Sequence, residues 1–244
     1  MTFGGMYVSP EQLMKDRADY ARHGIARGRP IIVVSYANGI AFVGENPSRS
    51  LHKISEIYDR IGFAAVGKYN EFENLRVAGI RYADLRGFSY DRTDVTGRGL
   101  ANAYAQTLGS VFTQEAKPYE IEIAVAQVGL SVEDDQIFRL TYDGSVSDEP
   151  GFVAMGRGGD VLTQGLRAQW DGSMSLSQAL VLCVDLLRQA KDEQPSEPVA
   201  PNQFEIAVLD RRRSRRAFRR LEGAELAAML DPEDPLDDVA EGAR

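Results

Sequence analysis

The chain has 244 residues, enough for one large domain or two small ones, and its 43% hydrophobic and 26% charged residues strike the balance of a soluble globular protein. A formal net charge of -8 argues against general affinity for nucleic acid or anionic membrane, because phosphate binding needs clustered positive charge. No run approaches the roughly 18 apolar residues that span a bilayer, no basic-then-apolar signal opens the chain, and Cys183, the single cysteine, excludes an internal disulfide; a reducing, cytoplasmic setting is expected.

Ser9-Pro10-Glu11-Gln12 reads as a helix start, with serine capping, proline at the first helical position and Gln12 completing a capping box. The spacing predicts a helix over 9–22 that stops near Gly24. Its apolar stripe is thin (Leu13, Tyr20, Ala21), so it suits an interface with another chain better than its own core. After Pro30 come two apolar, β-branched strands, 31–36 and 40–45, with Asn38-Gly39 between them as a hairpin signal. A second pair is expected over 53–58 and 61–66, turning at Asp59-Arg60. Helical spacing follows: Tyr69, Phe72 and Leu75 share a face that ends by Gly79, and a longer helix carries Leu100, Tyr104, Leu108 and Val111 and stops before Pro118.

Strands return over 120–128, where Ile121, Ile123 and Val125 alternate with Glu120 and Glu122, then over 137–142 and 152–155. Two helices are expected over 161–170 and 176–190, the second opened by a Ser175 to Gln178 capping box. A proline-bearing loop leads to strands near 204–210 and 216–221 and a short helix near 224–230. The acidic tail 231–244 has the composition of a disordered segment. Hairpins, helix pair, hairpins, helix pair and a last hairpin imply two stacked antiparallel sheets between two helix layers, in one domain over 9–230.

The segments Glu45-Asn46-Pro47-Ser48-Arg49-Ser50-Leu51, Lys53-Ile54-Ser55-Glu56-Ile57-Tyr58-Asp59-Arg60 and Ile61-Gly62-Phe63-Ala64-Ala65 are distinctive. With Asp94-Val95-Thr96-Gly97-Arg98, Ala207-Val208-Leu209-Asp210 and Arg216-Ala217-Phe218-Arg219-Arg220, they resemble proteasome alpha subunits, most of all the actinobacterial ones. The resemblance runs from Ser9 to about Leu230 and leaves out the loop after Ala190 and the acidic tail. It implies an α+β, four-layer αββα sandwich, the fold of N-terminal nucleophile hydrolases. It also implies homo-heptameric alpha rings capping beta rings that hold the proteolytic threonines. An ATPase ring or other activator would feed in unfolded substrates, among them proteins tagged with prokaryotic ubiquitin-like protein.

An N-terminal nucleophile enzyme attacks with the side chain of its first residue, which must begin the first strand, and uses its own α-amine as base. Here a capped helix and Arg29-Pro30 precede that strand, and no threonine, serine or cysteine stands there. Thr2, the one rival, is separated from the strand by residues 3–30, so a non-catalytic subunit is expected. An active N-terminal nucleophile amidohydrolase is the alternative. A nucleic-acid module built on the run Arg211, Arg212, Arg213, Arg215, Arg216, Arg219, Arg220 is a third class, disfavoured because only Phe218 interleaves as a stacking platform.

From the resemblance, Lys53 matches a lysine that receives an activator's C-terminal carboxylate between neighbouring subunits. Gly67 matches a glycine of that pocket and Asp19 an acidic residue of the first helix. Residues 1–8 resemble a mobile gating extension, with Thr2, Phe3, Met6, Tyr7 and Val8 as gate residues, although the Tyr-Asp-Arg gate motif of other lineages is absent. Taken as residues alone, Lys53 is an ordinary strand lysine and 1–8 a frayed terminus. Gly156-Arg157-Gly158-Gly159 lacks both the Rossmann glycine spacing and the Walker Lys-Ser/Thr pair, so it reads as a tight turn. His23 and His52 have no ligand spacing with Cys183, which lies on a helical core stripe; neither metal nor cofactor is expected.

Overall fold

The computed structural model describes residues 9–48, 50–190 and 203–230. The segments 1–8 and 231–244, and with them Thr2, Phe3, Met6, Tyr7 and Val8, lie outside the described residues. In chain order come α1 (Pro10–Ala26), β1 (Ile31–Tyr36), β2 (Gly39–Glu45), β3 (Ile54–Tyr58), β4 (Ile61–Gly67), α2 (Tyr69–Ser89) and α3 (Gly97–Gln114). There follow β5 (Ile121–Gln127), β6 (Gln136–Leu140), β7 (Val146–Asp148), β8 (Phe152–Met155), α4 (Gly159–Gln169), α5 (Leu176–Gln189), β9 (Phe204–Asp210), β10 (Phe218–Leu221) and α6 (Gly223–Met229).

The strands form two five-stranded antiparallel sheets, ordered β10-β9-β2-β1-β8 and β3-β4-β5-β6-β7. Strand period two explains the layering. In β1, Ile32 and Val34 point to the α4–α5 layer, where they meet Leu162, Leu166, Leu180 and Val184. Ile31 and Val33 point inward, to Ile54, Ala64, Val66 and Ala124 of the other sheet. On that sheet's outer face Phe63, Ile121, Ile123 and Val125 meet Phe72, Leu75, Leu100, Tyr104 and Leu108 of α2 and α3. Three apolar layers bind four structural ones, so the αββα sandwich stands. Because most central strands are buried on both faces, they read as continuous apolar runs.

Several expectations need correction. Helix α1 continues to Ala26 and α2 to Ser89, past the glycines taken as their ends. A Cβ on Gly24 would lie 2.3 Å from Glu120 Oε1, and one on Gly79 would lie 1.8 Å from Tyr104 Oη. Both glycines let a neighbour approach; neither ends its helix. At the start of α1, Ser9 accepts from the Gln12 amide at 3.2 Å, but the Gln12 carboxamide donates to Asp16 at 2.6 Å in place of closing the box. The first hairpin turns at Ala37-Asn38, because Gly39 already pairs with Tyr36 as the first residue of β2. Glu120 and Glu122, which alternate with the apolar residues of β5, are themselves only 7% and 4% exposed. The Ser175–Gln178 capping box is present, Cys183 is fully buried on the α5 stripe, and Gly156 and Gly158 make the tight turn between β8 and α4.

Candidate functional site

The end of the sandwich where β1 begins is closed by the link Arg27-Gly28-Arg29-Pro30. Ile31 is fully buried and Pro30 is buried before it. The link is tied on three sides: the Gly28 amide donates to Ile25 O at 2.8 Å, the Arg157 amide to Gly28 O at 3.0 Å, and Lys53 Nζ to Arg29 O at 3.3 Å. Ala21 and Ile25 of α1 add to the middle apolar layer behind it. An attacking amino-terminal side chain would have to stand where this polypeptide runs.

The link brings two of the three expected docking residues together. Lys53 reaches it through its ammonium group, and Gly67 passes it on the backbone, its amide nitrogen 3.0 Å from where a Cβ on Gly28 would lie. Gly67 has φ +110, and a side chain there would overlap Glu120 O, so glycine is required by both backbone and space. Asp19 pairs with Arg22 at 3.2 Å, one turn along α1, with both side chains more than half exposed.

Burial and the neighbouring Arg29 guanidinium lower the Lys53 ammonium from its ordinary value near 10.5 to about 8, while Glu205 and Glu45 pull the other way. Lys53 therefore remains largely a cation at neutral pH. It spends one donor on Arg29 O and has others to offer a carboxylate. Its backbone is held from both sheets: its carbonyl accepts from the Ala65 amide at 3.0 Å, and its amide donates to Glu205 Oε2 at 2.9 Å.

Behind Gly67 lies a second charged knot. Glu71 accepts from Lys117 at 2.6 Å and from the Glu120 amide at 2.7 Å, while Lys117 and Lys68 both pair with the Glu120 carboxylate. Burial works against the charge on Glu120, but the two lysines outweigh it and hold the carboxyl below its usual range. On the other side of the link a cleft of about 660 Å³ is lined by Arg22, Ile25, Glu122, Arg139, Tyr142 and Asp160. Burial raises the Glu122 carboxyl although it pairs with Arg139.

Five of the seven arginines in the run pair with carboxylates of the same chain. Arg211 pairs with Asp135 at 2.7 Å, Arg212 with Asp210 at 3.1 Å, Arg216 with Glu56 at 3.0 Å, Arg220 with Glu205 at 2.8 Å, and Arg219 with Glu225. Arg212, Arg213, Arg215 and Arg216 are exposed, so the run is a solvated hairpin between β9 and β10 with much of its charge paired inside one chain. Sequence reasoning passed over Glu205 and Glu71 and gave Glu120 no role; for Glu205 and Glu120 the available signal was a glutamate inside or beside an apolar strand, whereas Glu71, in the first turn of α2, carried none.

A family model described as proteasome subunit matches residues 25–209. The chain is 65% identical over 229 residues to a protein of Kineococcus radiotolerans named proteasome subunit alpha, covering 92% of this chain and 96% of that one. Proteins of the same name from Sanguibacter keddieii (63% identical, 92% and 88% covered) and Acidothermus cellulolyticus (59% identical, 93% and 97% covered) match likewise. With the sealed strand start and the four-layer sandwich, these likenesses lead to one conclusion: the chain belongs to the proteasome subunit family and is of its alpha type.

Proposed function

We propose that the chain is a non-catalytic ring subunit that guards the entrance of a proteolytic cylinder and receives activator tails at Lys53. Seven copies would form each outer ring, seated on rings of a beta subunit that does the cutting. Residues 1–8, with Thr2, Phe3, Met6, Tyr7 and Val8, would narrow the axial pore. An ATPase ring would place its C-terminal carboxylates against Lys53, with Gly67 and Asp19 in the same pocket, and pass unfolded substrates inward. Those substrates include proteins carrying prokaryotic ubiquitin-like protein, and the particle works in the cytoplasm.

The observation that supports this reading is the link 27–30, which precedes β1 where a nucleophile of this fold would have to begin, and whose Arg29 carbonyl accepts from the Lys53 ammonium. A cation beside that link suits a carboxylate partner, and several tails around one ring gain by avidity what one contact lacks. Leu85, Phe88 and Tyr90 near the end of α2 are 69%, 91% and 74% exposed, an apolar display that suits a subunit contact.

The test is co-expression with the beta subunit, then electron microscopy and peptide hydrolysis. Stacked seven-membered rings are expected, with faster hydrolysis of a bulky peptide when residues 2–8 are deleted. A chain that stays monomeric, cuts peptides unaided, or gives equal rates with and without residues 2–8 would count against the proposal.

A further inference from the structure

Glu205 is the second residue of β9, between Phe204 and Ile206, and only 8% exposed. A carboxylate buried in a strand is tolerated only if its oxygens are well supplied with donors. Glu205 Oε2 accepts from Asn46 Nδ2 at 2.7 Å and from the Lys53 amide at 2.9 Å. Its Oε1 accepts from the Ile54 amide at 3.1 Å and from Arg220 at 2.8 Å. None of these bonds belongs to a β-ladder. The two backbone amides, Lys53 and Ile54, stand at the entrance of β3 in the other sheet, so those bonds cross between sheets, while Asn46 follows β2 and Arg220 lies on β10 of the sheet that holds Glu205. Asn46 also donates to Leu51 O at 2.7 Å, and Arg220 donates to Ile54 O at 2.6 Å.

We propose that Glu205 is the positioning residue of the Lys53 site: it fixes the Lys53 main chain from the opposite sheet, so that the ammonium group is presented at the Arg29 carbonyl, ready for a carboxylate. This rests on the docking reading above and assigns the part played by a residue that touches no ligand. Its charge also acts on the lysine. The ionisable groups that face Lys53 are Arg29 from the link after α1, Glu45 from β2 and Glu205 from β9. His52 adjoins it in the chain, its Nδ1 lying 3.3 Å from Glu205, and Arg220 of β10 stands on the Glu205 carboxylate. Glutamine at 205 would keep the shape, lose the charge that favours a protonated Lys53, and put an NH2 group against donors that need an acceptor.

The experiment uses particles assembled with the beta subunit and a labelled peptide copying the C-terminus of the ATPase, beside the same peptide as its C-terminal amide. Wild-type particles should prefer the free acid, with binding that declines as pH rises through about 8, where the lysine loses its proton. Glu205→Gln should weaken free-acid binding by roughly tenfold and move the decline to lower pH. A merely structural role would not move that midpoint. If Glu205→Gln does not assemble, Asn46→Ala removes one arm of the cradle; weakened binding with an unmoved midpoint is then expected, because the carboxylate remains. Wild-type affinity and midpoint in Glu205→Gln, or wild-type affinity in Asn46→Ala where only that variant assembles, would overturn the proposal. Lys53→Ala separates the two ideas: if it binds the free acid as wild type does, the docking reading itself falls, whereas loss of binding there with normal Glu205→Gln removes Glu205 alone.

Discussion

Helices α1 and α5 are attached to the sandwich by opposite means. In α5, Leu176, Ala179, Leu180, Cys183, Val184, Leu186 and Leu187 are buried, and the helix is embedded in apolar neighbours. In α1, only Ala21 and Ile25 are buried over 17 residues, while Leu13 and Tyr20 are 49% and 48% exposed. Polar clamps do much of the holding instead. Arg17 donates to Phe112 O at 2.8 Å, Val111 O at 3.2 Å and Glu115 O at 2.7 Å, capping the carbonyl end of α3, and its guanidinium lies over the Phe112 ring. Arg22 lies over the Tyr142 ring and Lys117 over Tyr20. Apolar packing is indifferent to small shifts but expensive to undo. Directional clamps hold one position and release at modest cost, a property fitting for the helix next to the proposed gate.

The largest effect should come from the embedded helix. Leu180→Ala leaves a cavity in a fully buried position and should cost about 2–5 kcal/mol, read as a fall in the urea midpoint; a loss under about 1 kcal/mol would mean that the layer can collapse around the gap. Arg17→Ala comes next, at roughly 1–2 kcal/mol, since the clamp is half-buried. Hydrogen exchange should quicken across α1 while α5 amides keep their protection; uniform change in both helices would erase the contrast between them. Asp19→Asn should matter least, within about 0.5 kcal/mol, because its pair with Arg22 is solvent-screened. Ring assembly that fails in Asp19→Asn while the isolated subunit stays folded would identify an intersubunit role.

Much of this layout could be read from residues, and the failures share a cause. Strands 31–36 and 204–210 were legible as mainly apolar runs buried on both faces, and α5 by its one-sided apolar stripe behind a capping box. Gly24 and Gly79 misled because a glycine within a helical pattern signals either a stop or a close neighbour, and only the fold reveals Glu120 and Tyr104 at those points. Lys53 and Gly67 were singled out by family likeness, and attention to the link 27–30 came from the demand that a nucleophile begin β1; the structure brings all three side by side. Glu205 was missed because three of its four hydrogen-bond partners, Asn46, Lys53 and Ile54, lie 151 or more residues away along the chain, so no local pattern announces them.

The order of the strands has its own consequence. Each sheet finishes in short members: β10 and β8 have four residues each, and β7 has three, all exposed, while β3 at the remaining border has five and carries a register shift. Such stubs offer a foreign strand little template for zipping on. A member of a family that assembles with other subunits thereby avoids the indiscriminate growth that long open borders invite, and must instead choose its neighbours by the shape and chemistry of its side chains.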